Sequence, residues 1–184
     1  MALLSRARKG FFALLGAVGV VALAGCVSVP AGVTPVTGFD LDRYLGTWYE
    51  IARLDHNFER NLTNVTATYS LNEDGSVRVA NRGFDVTICE YDEQIGRATF
   101  NGDPTVASLG VSFFGPFAGG YHVIELGPDY SYAVVSGPTK GFFWILSRTP
   151  EMPEATVERI LAEAEANGYP TDEIILVDQG GPSC

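Results

Sequence analysis

The chain has 184 residues, 46% of them hydrophobic and 18% charged, and 12 Lys+Arg against 22 Asp+Glu give a formal net charge of -10. Such a composition supports one globular domain with its own core and excludes collagen-like, coiled-coil and disordered chains: Gly and Pro follow no three-residue period, heptads are absent and apolar content is high. The acidic balance sets the surface against nucleic-acid phosphates and against an electrostatic grip on anionic lipid.

Residues 1–25 carry basic Arg6, Arg8 and Lys9 ahead of a small-and-apolar run from Phe11 to Ala24, the layout of an export signal. The run falls short of the about 20 residues that a bilayer-spanning helix needs. Its end, Leu23-Ala24-Gly25-Cys26, resembles the bacterial lipoprotein signal, which implies cleavage before Cys26 and acylation of that residue; an ordinary secretory signal is the alternative. Two or more acyl chains hold a protein firmly on a bilayer where one does not. Val27 stands where lipoproteins kept at the inner membrane carry an Asp, so the resemblance implies a lipid anchor in the outer membrane with the folded part in the periplasm. Residues 26–38 then read as the lipidated N-terminus and a linker, residues 39–180 as the folded domain and 181–184 as a tail. In an oxidising compartment the remaining Cys89 and Cys184 either pair in a disulfide or stay free. His56 and His122 show no ligand-like spacing, so no metal and no other cofactor is expected.

From Gly46 onward short strands alternate with turn signals. Strands are predicted over 48–54, 62–71, 76–84, 94–102, 105–113, 119–126, 130–137 and 141–148. In the second, Val65, Ala67, Tyr69 and Leu71 share one face while Thr66, Thr68 and Ser70 share the other. Asn72-Glu73-Asp74-Gly75 makes a hairpin turn. Eight strands in sequential order predict an all-β, up-and-down antiparallel barrel, whose interior at that strand number can hold one small ligand. After Arg148 the pattern changes: Pro153, a first turn rich in acid, the stripe Val157, Ile160, Leu161 and Ala164, and Gly168 at the end predict one C-terminal α-helix over 154–167 packed outside the barrel. A final short strand is expected within 173–178, pairing with the free edge of the first.

Gly46-Thr47-Trp48-Tyr49-Glu50 resembles the Gly-x-Trp motif that opens the lipocalin barrel, Asp129-Tyr130-Ser131-Tyr132 resembles the second lipocalin motif, and Trp144-Ile145-Leu146-Ser147-Arg148 the third. The resemblance spans residues 39–179, is closest to the bacterial outer-membrane lipoprotein branch related to apolipoprotein D, and implies that Arg148 lies across Trp48. Independently, Trp48 supplies a large apolar plug for a barrel end, Gly46 lets the backbone pass beneath it, and Arg148 can stack on the indole. These residues, with Asp129 and Tyr130, are read as structural.

With inward faces set by alternation, the lumen is expected to be lined by Val65, Ala67, Tyr69, Val77, Val79, Ala98, Phe100, Leu109, Val111, Tyr132, Val134, Phe142 and Trp144. That apolar, aromatic wall suits an acyl chain, and the resemblance adds fatty acids and lysophospholipids as ligands, stored or carried for outer-membrane maintenance. A filled barrel without a ligand is the structural alternative. The stretch 112–120, with Phe113, Phe114 and Phe117, fits a lid, a contact between two protomers of a homodimer, or a membrane contact. Arg53, His56 or Arg60 could meet a ligand's head group. Asp55, His56 and Glu59 form the one acid–base-looking cluster, but no nucleophile elbow, phosphate loop or metal set accompanies it, so no enzyme activity is expected; a lipid-acting enzyme in the same cup is the competing function.

Overall fold

The computed structural model describes residues 27–184; the signal 1–25 and the acylation site Cys26 lie outside the described residues. Strands β1 (Gly46–Arg53), β2 (Leu62–Leu71), β3 (Val77–Asp85), β4 (Glu90–Phe100), β5 (Ser108–Ser112), β6 (Gly119–Leu126), β7 (Tyr132–Ser136) and β8 (Phe143–Ser147) each pair antiparallel with the next. β1 pairs with both β2 and β8, which closes an eight-stranded up-and-down barrel, and β9 (Ile175–Leu176) adds to the outer edge of β1. A short helix α1 (Leu41–Tyr44) precedes the barrel, capped by the Asp40 carboxylate accepting from the Asp42 and Arg43 amides. Helix α2 (Glu154–Ala166) follows it.

Inside the barrel, Trp48, Tyr69, Val77, Val79, Ala98, Leu109, Val123, Ala133, Val135 and Leu146 form one buried cluster, with Ala67, Phe100, Val111 and Trp144 packed against it. Outside, α2 presents Val157, Ile160 and Ala164 to Val134, Phe143 and Ile145, as its apolar stripe requires. Tyr132 and Val134 were expected in the lumen and instead lie in this outer layer, while Ala133 and Val135 face in. The reason is that Tyr-Ala-Val-Val is apolar on both faces, since α2 covers the outer one, so alternation carries no phase there.

Antiparallel order puts the connections 54–61, 86–89, 113–118 and 137–142 at one end of the barrel and 72–76, 101–107 and 127–131 at the other. The second end is closed by α1, whose Tyr44 packs on Trp48; the first is the rim of the mouth. β4 begins at Glu90, four residues before the predicted start, because Glu90-Tyr91-Asp92-Glu93 extends the strand with both faces exposed to water.

The stretch 27–38, expected as a linker, is docked. Thr37 bridges to Val106, and Val36 donates to the Val123 carbonyl and accepts from the Ala107 amide. Farther up the wall the Ser28 carbonyl sits 3.0 Å from His122 Nε2, and His122 is fully buried. A carbonyl only accepts, so Nε2 carries the proton and Nδ1 accepts from Ser108 Oγ at 3.0 Å.

At the other terminus Cys184 is disulfide-bonded to Cys89 on the rim, with 6.0 Å between Cα atoms and a sequence separation of 95. On the way the tail covers the seam above the last β1–β2 pair, Tyr49 with Thr66. There the Gln179 side-chain amide donates to the Glu50 carbonyl at 2.8 Å and to the Val65 carbonyl at 2.9 Å. Cys184→Ser is expected to lower stability by about 2–5 kcal/mol, read as a lower urea midpoint that reductant reproduces in the wild-type chain.

Candidate functional site

The floor of the barrel is built from the three sequence motifs. Gly46 turns the chain at φ 95°, a conformation that favours glycine, and sets Trp48 across the closed end with no exposed surface. The indole Nε1 donates to the Tyr44 carbonyl at 2.8 Å. Arg148 stacks on that ring at 3.7 Å, and its Nη1 and Nη2 donate to the Thr47 and Arg43 carbonyls at 3.1 and 2.6 Å. Arg43 lies over Tyr130 at 4.3 Å and pairs with Asp129 at 3.5 Å, and the Tyr130 hydroxyl accepts from the Asp40 amide at 2.9 Å.

Above the floor, three phenols converge: Tyr121 Oη is 2.6 Å from Tyr44 Oη and 2.9 Å from Tyr69 Oη. Burial raises the pKa of each, so all three stay neutral.

Towards the mouth the lumen holds a charged tier. The pairing of β1 with β8 shifts between Glu50 and Ala52, and this bulge turns Ile51 and Ala52 to the outer layer while burying both Glu50 and Arg53. Arg53 Nη1 donates to Glu50 Oε1 at 2.7 Å, and its Nη2 donates to the Glu59 and Leu62 carbonyls at 2.8 and 3.3 Å, which fastens the rim loop 54–61. Glu59 Oε2 accepts from Trp144 Nε1 at 3.1 Å and lies 4.0 Å from Arg53 Nε. One guanidinium thus serves two buried carboxylates. Burial, aided by the Glu59 charge and opposed by Arg53, pushes the Glu50 carboxyl up to about 8. Glu59 is raised as well, by burial, against Trp144 and Arg53.

His56 lies buried beside this tier, stacked on Phe142 at 4.7 Å and on Phe58 at 5.2 Å. Burial lowers its pKa, and Arg53 lowers it further, so the ring is neutral at pH 7. Among the described residues, three buried side-chain atoms have no hydrogen-bond partner: Arg53 Nε, His56 Nε2 and Asn81 Oδ1. Such atoms are costly unless a bound group satisfies them.

Of the expected lining, Ala67, Tyr69, Val77, Val79, Ala98, Phe100, Leu109, Val111 and Trp144 stand together in the inner cluster. Phe142 joins at the mouth through His56 and Trp144. Val65 is buried beside Gly83, where an added Cβ would come within 3.2 Å of its Cγ2. Of the acid–base-looking trio, Asp55 is taken up by an ion pair with exposed Arg60, while Glu59 accepts from Trp144 Nε1. Sequence reasoning placed Arg53 in the first strand and named it as a head-group candidate, but it gave Glu50 no role beyond its place in the first motif, since a charged residue in a strand reads as solvated. The signal lay in Glu50 and Arg53 flanking one β-bulge, and a bulge has no sequence mark without a glycine.

Comparison with known proteins agrees with this geometry. A family model described as a lipocalin-like domain matches residues 39–179. Outer membrane lipoprotein Blc of Citrobacter freundii is 51% identical over 152 residues, 83% of this chain and 86% of its own length. The protein of the same name from Vibrio cholerae is 46% identical over 160 residues, 86% of this chain and 94% of its own. Apolipoprotein D of Cavia porcellus is 33% identical over 151 residues, 77% of each chain. Among solved structures, insecticyanin from the tobacco hornworm Manduca sexta aligns with a TM-score of 0.63 at 22% identity, over 82% of this chain and 86% of its own, a likeness of fold.

Proposed function

The chain belongs to the lipocalin family, and from that premise we propose that it is an outer-membrane lipoprotein, anchored through acylated Cys26 with the barrel in the periplasm, that binds single-chain lipids in its lumen. The observation that carries this reading is a lumen apolar along its wall and sealed by Trp48 and Arg148 at one end. Its mouth is edged by buried polar atoms that lack partners. An acyl chain fits the wall. Arg53 Nε, which makes no hydrogen bond, and neutral His56 would meet a phosphate or carboxyl group, and the family resemblance makes fatty acids and lysophospholipids the expected ligands. The names of the Citrobacter and Vibrio relatives, outer membrane lipoproteins, support the anchor and the location, and storage or transport of lipid for outer-membrane maintenance is the role that follows.

The test is titration of delipidated residues 27–184 with lysophosphatidylethanolamine and with a long-chain fatty acid, following Trp144 emission. A saturable change near one ligand per barrel is expected. Ala67→Phe, which fills the lumen beside Trp48, is expected to weaken it at least tenfold, equivalent to about 1.4 kcal/mol. Absence of saturation with every lipid in a folded domain would sink the binding role in favour of a packed barrel.

A further inference from the structure

Val77, Val79 and Ala98 enter the inner cluster, so alternation turns Arg78 of β3 and Arg97 of β4 to the outer wall. The two arginines stand directly opposite each other in the β3–β4 ladder. Like charges facing across paired strands, with Cβ atoms about 5 Å apart, cost stability. The chain has 22 Asp+Glu with which to avoid such a pair, yet on its other side Arg78 faces Ser70 of β2.

Among the described residues, Arg78 is the one Lys or Arg with no ion pair, hydrogen bond or ring contact. Arg97 pairs with the exposed Asp74 carboxylate, a kind of contact that contributes little to stability. Asp74 has partners of its own, accepting from the Ser76 amide at 3.0 Å and the Ser76 hydroxyl at 2.6 Å.

The pair borders a groove of about 570 Å³, lined also by Asn72, Ile95, Thr99 and Ser112 and by no Asp or Glu. Thr99 lies two residues along β4 from Arg97, and Ser112 stands opposite Arg97 on β5, so hydroxyls flank the cationic pair. A guanidinium presents a planar fork of donors that fits two oxygens of one anion. Two forks that face each other call for more than two oxygens and more than one charge. A carboxylate serves one fork, whereas a terminal phosphoryl group has three oxygens and about 1.5 to 2 negative charges near pH 7.

We propose that the outer-wall groove of β3, β4 and β5 is a binding site for a phosphomonoester, gripped from two sides by Arg78 and Arg97 with the Thr99 and Ser112 hydroxyls beside them. An anion between the two guanidiniums converts their repulsion into attraction, which accounts for a like-charge pair kept without an acid between its members. The site lies outside the barrel wall and does not rest on the lumen holding a lipid. Its ligand is defined by the phosphoryl group, carried either by a soluble molecule or by a lipid head group.

The experiment uses the full chain in dodecyl maltoside micelles at pH 7 and fixed ionic strength, following the Nε–H nuclear magnetic resonance signals of Arg78 and Arg97. Inorganic phosphate and glycerol 3-phosphate are the soluble probes, phosphatidic acid doped into the micelles is the lipid probe, and sodium chloride is the control. Saturable shifts of both signals are expected, and Arg78→Gln should weaken the response at Arg97 by about tenfold or more. Saturation with the soluble probes upholds the site for any phosphomonoester, and saturation with phosphatidic acid alone upholds it for a lipid head group. Shifts no larger than those with chloride overturn it. So do shifts that survive Arg78→Gln, or that vanish in Ala67→Phe, whose filled lumen leaves the outer wall untouched. A second readout separates a ligand-binding role from a structural one. In chloride buffer Arg78→Gln should raise the urea midpoint by relieving the repulsion, and phosphate should raise the midpoint of wild type but not of the variant. A lowered midpoint in chloride would show Arg78 to be part of the scaffold and overturn the proposal.

Discussion

Arg53→Met is expected to destabilise the barrel by about 3–5 kcal/mol at pH 8, because it leaves two buried carboxylates without their counter-ion. Glu50 and Glu59 share that guanidinium, and Arg53 also fastens loop 54–61 by its carbonyls. The loss should shrink as pH falls, since both carboxyls can then take up protons. The wild-type chain carries a milder form of the same behaviour. Glu50 titrates near 8 when folded against 4.5 as its ordinary value, so the native state keeps a proton that the unfolded chain releases. Its contribution to stability is full below the unfolded value and is lost as pH rises through the folded one, at up to about 1.4 kcal/mol per pH unit. Below pH 6.5 the lowered pKa values of His56 and His122 act in the opposite direction, because the unfolded chain then binds protons that the buried rings refuse. Urea midpoints between pH 6.5 and 8 should therefore fall in wild type and fall less steeply in Glu50→Gln, where the raised Glu59 carboxyl remains; a level wild-type profile would falsify the account of this tier.

The second large effect is at the floor. Trp48→Ala removes a side chain with no exposed surface, breaks the bond to the Tyr44 carbonyl and takes away the ring beneath Arg148. A loss of about 3–5 kcal/mol is expected for an aromatic of this burial, larger if the closed end cannot collapse onto the gap. Trp48→Phe keeps most of the volume and should recover more than half of it, and Arg148→Lys, which retains charge without the planar fork, should cost less than Trp48→Ala. Thermal unfolding of the three variants checks the order.

The strands were legible wherever one face of the sheet met water. Residues 62–71 alternate because Thr66, Thr68 and Ser70 lie on the outer face, half-buried or exposed, while Val65 and Tyr69 are buried, and the stripe on α2 was visible for the same reason. Legibility fails where that contrast is lost. β7 is apolar on both faces under α2, which put Tyr132 and Val134 on the wrong side. Glu90 to Glu93 is polar on both faces and was left out of β4. Helix α1 is four residues long, too short for any period to appear. The charged tier was hidden by composition itself, since Glu50 and Arg53 are buried by a bulge that only the pairing with β8 reveals.

The order of the strands has a consequence for how this chain is made. Every barrel pairing joins neighbours in sequence except the closure of β1 onto β8, where Tyr49 meets Ser147 and Arg53 meets Trp144. Hairpins can form as the chain emerges, but β1 keeps an unpaired edge and the inner faces stay uncovered until residue 147 is available. The barrel is thus completed by its last strand, and α2, β9 and the tail can settle only on a wall already closed. A chain that passes through a narrow channel N-terminus first spends that interval as an open, sticky sheet. Any helper that binds exposed strands has most to do before β8 arrives, and a truncation that removes 143–147 should yield aggregate rather than a smaller barrel.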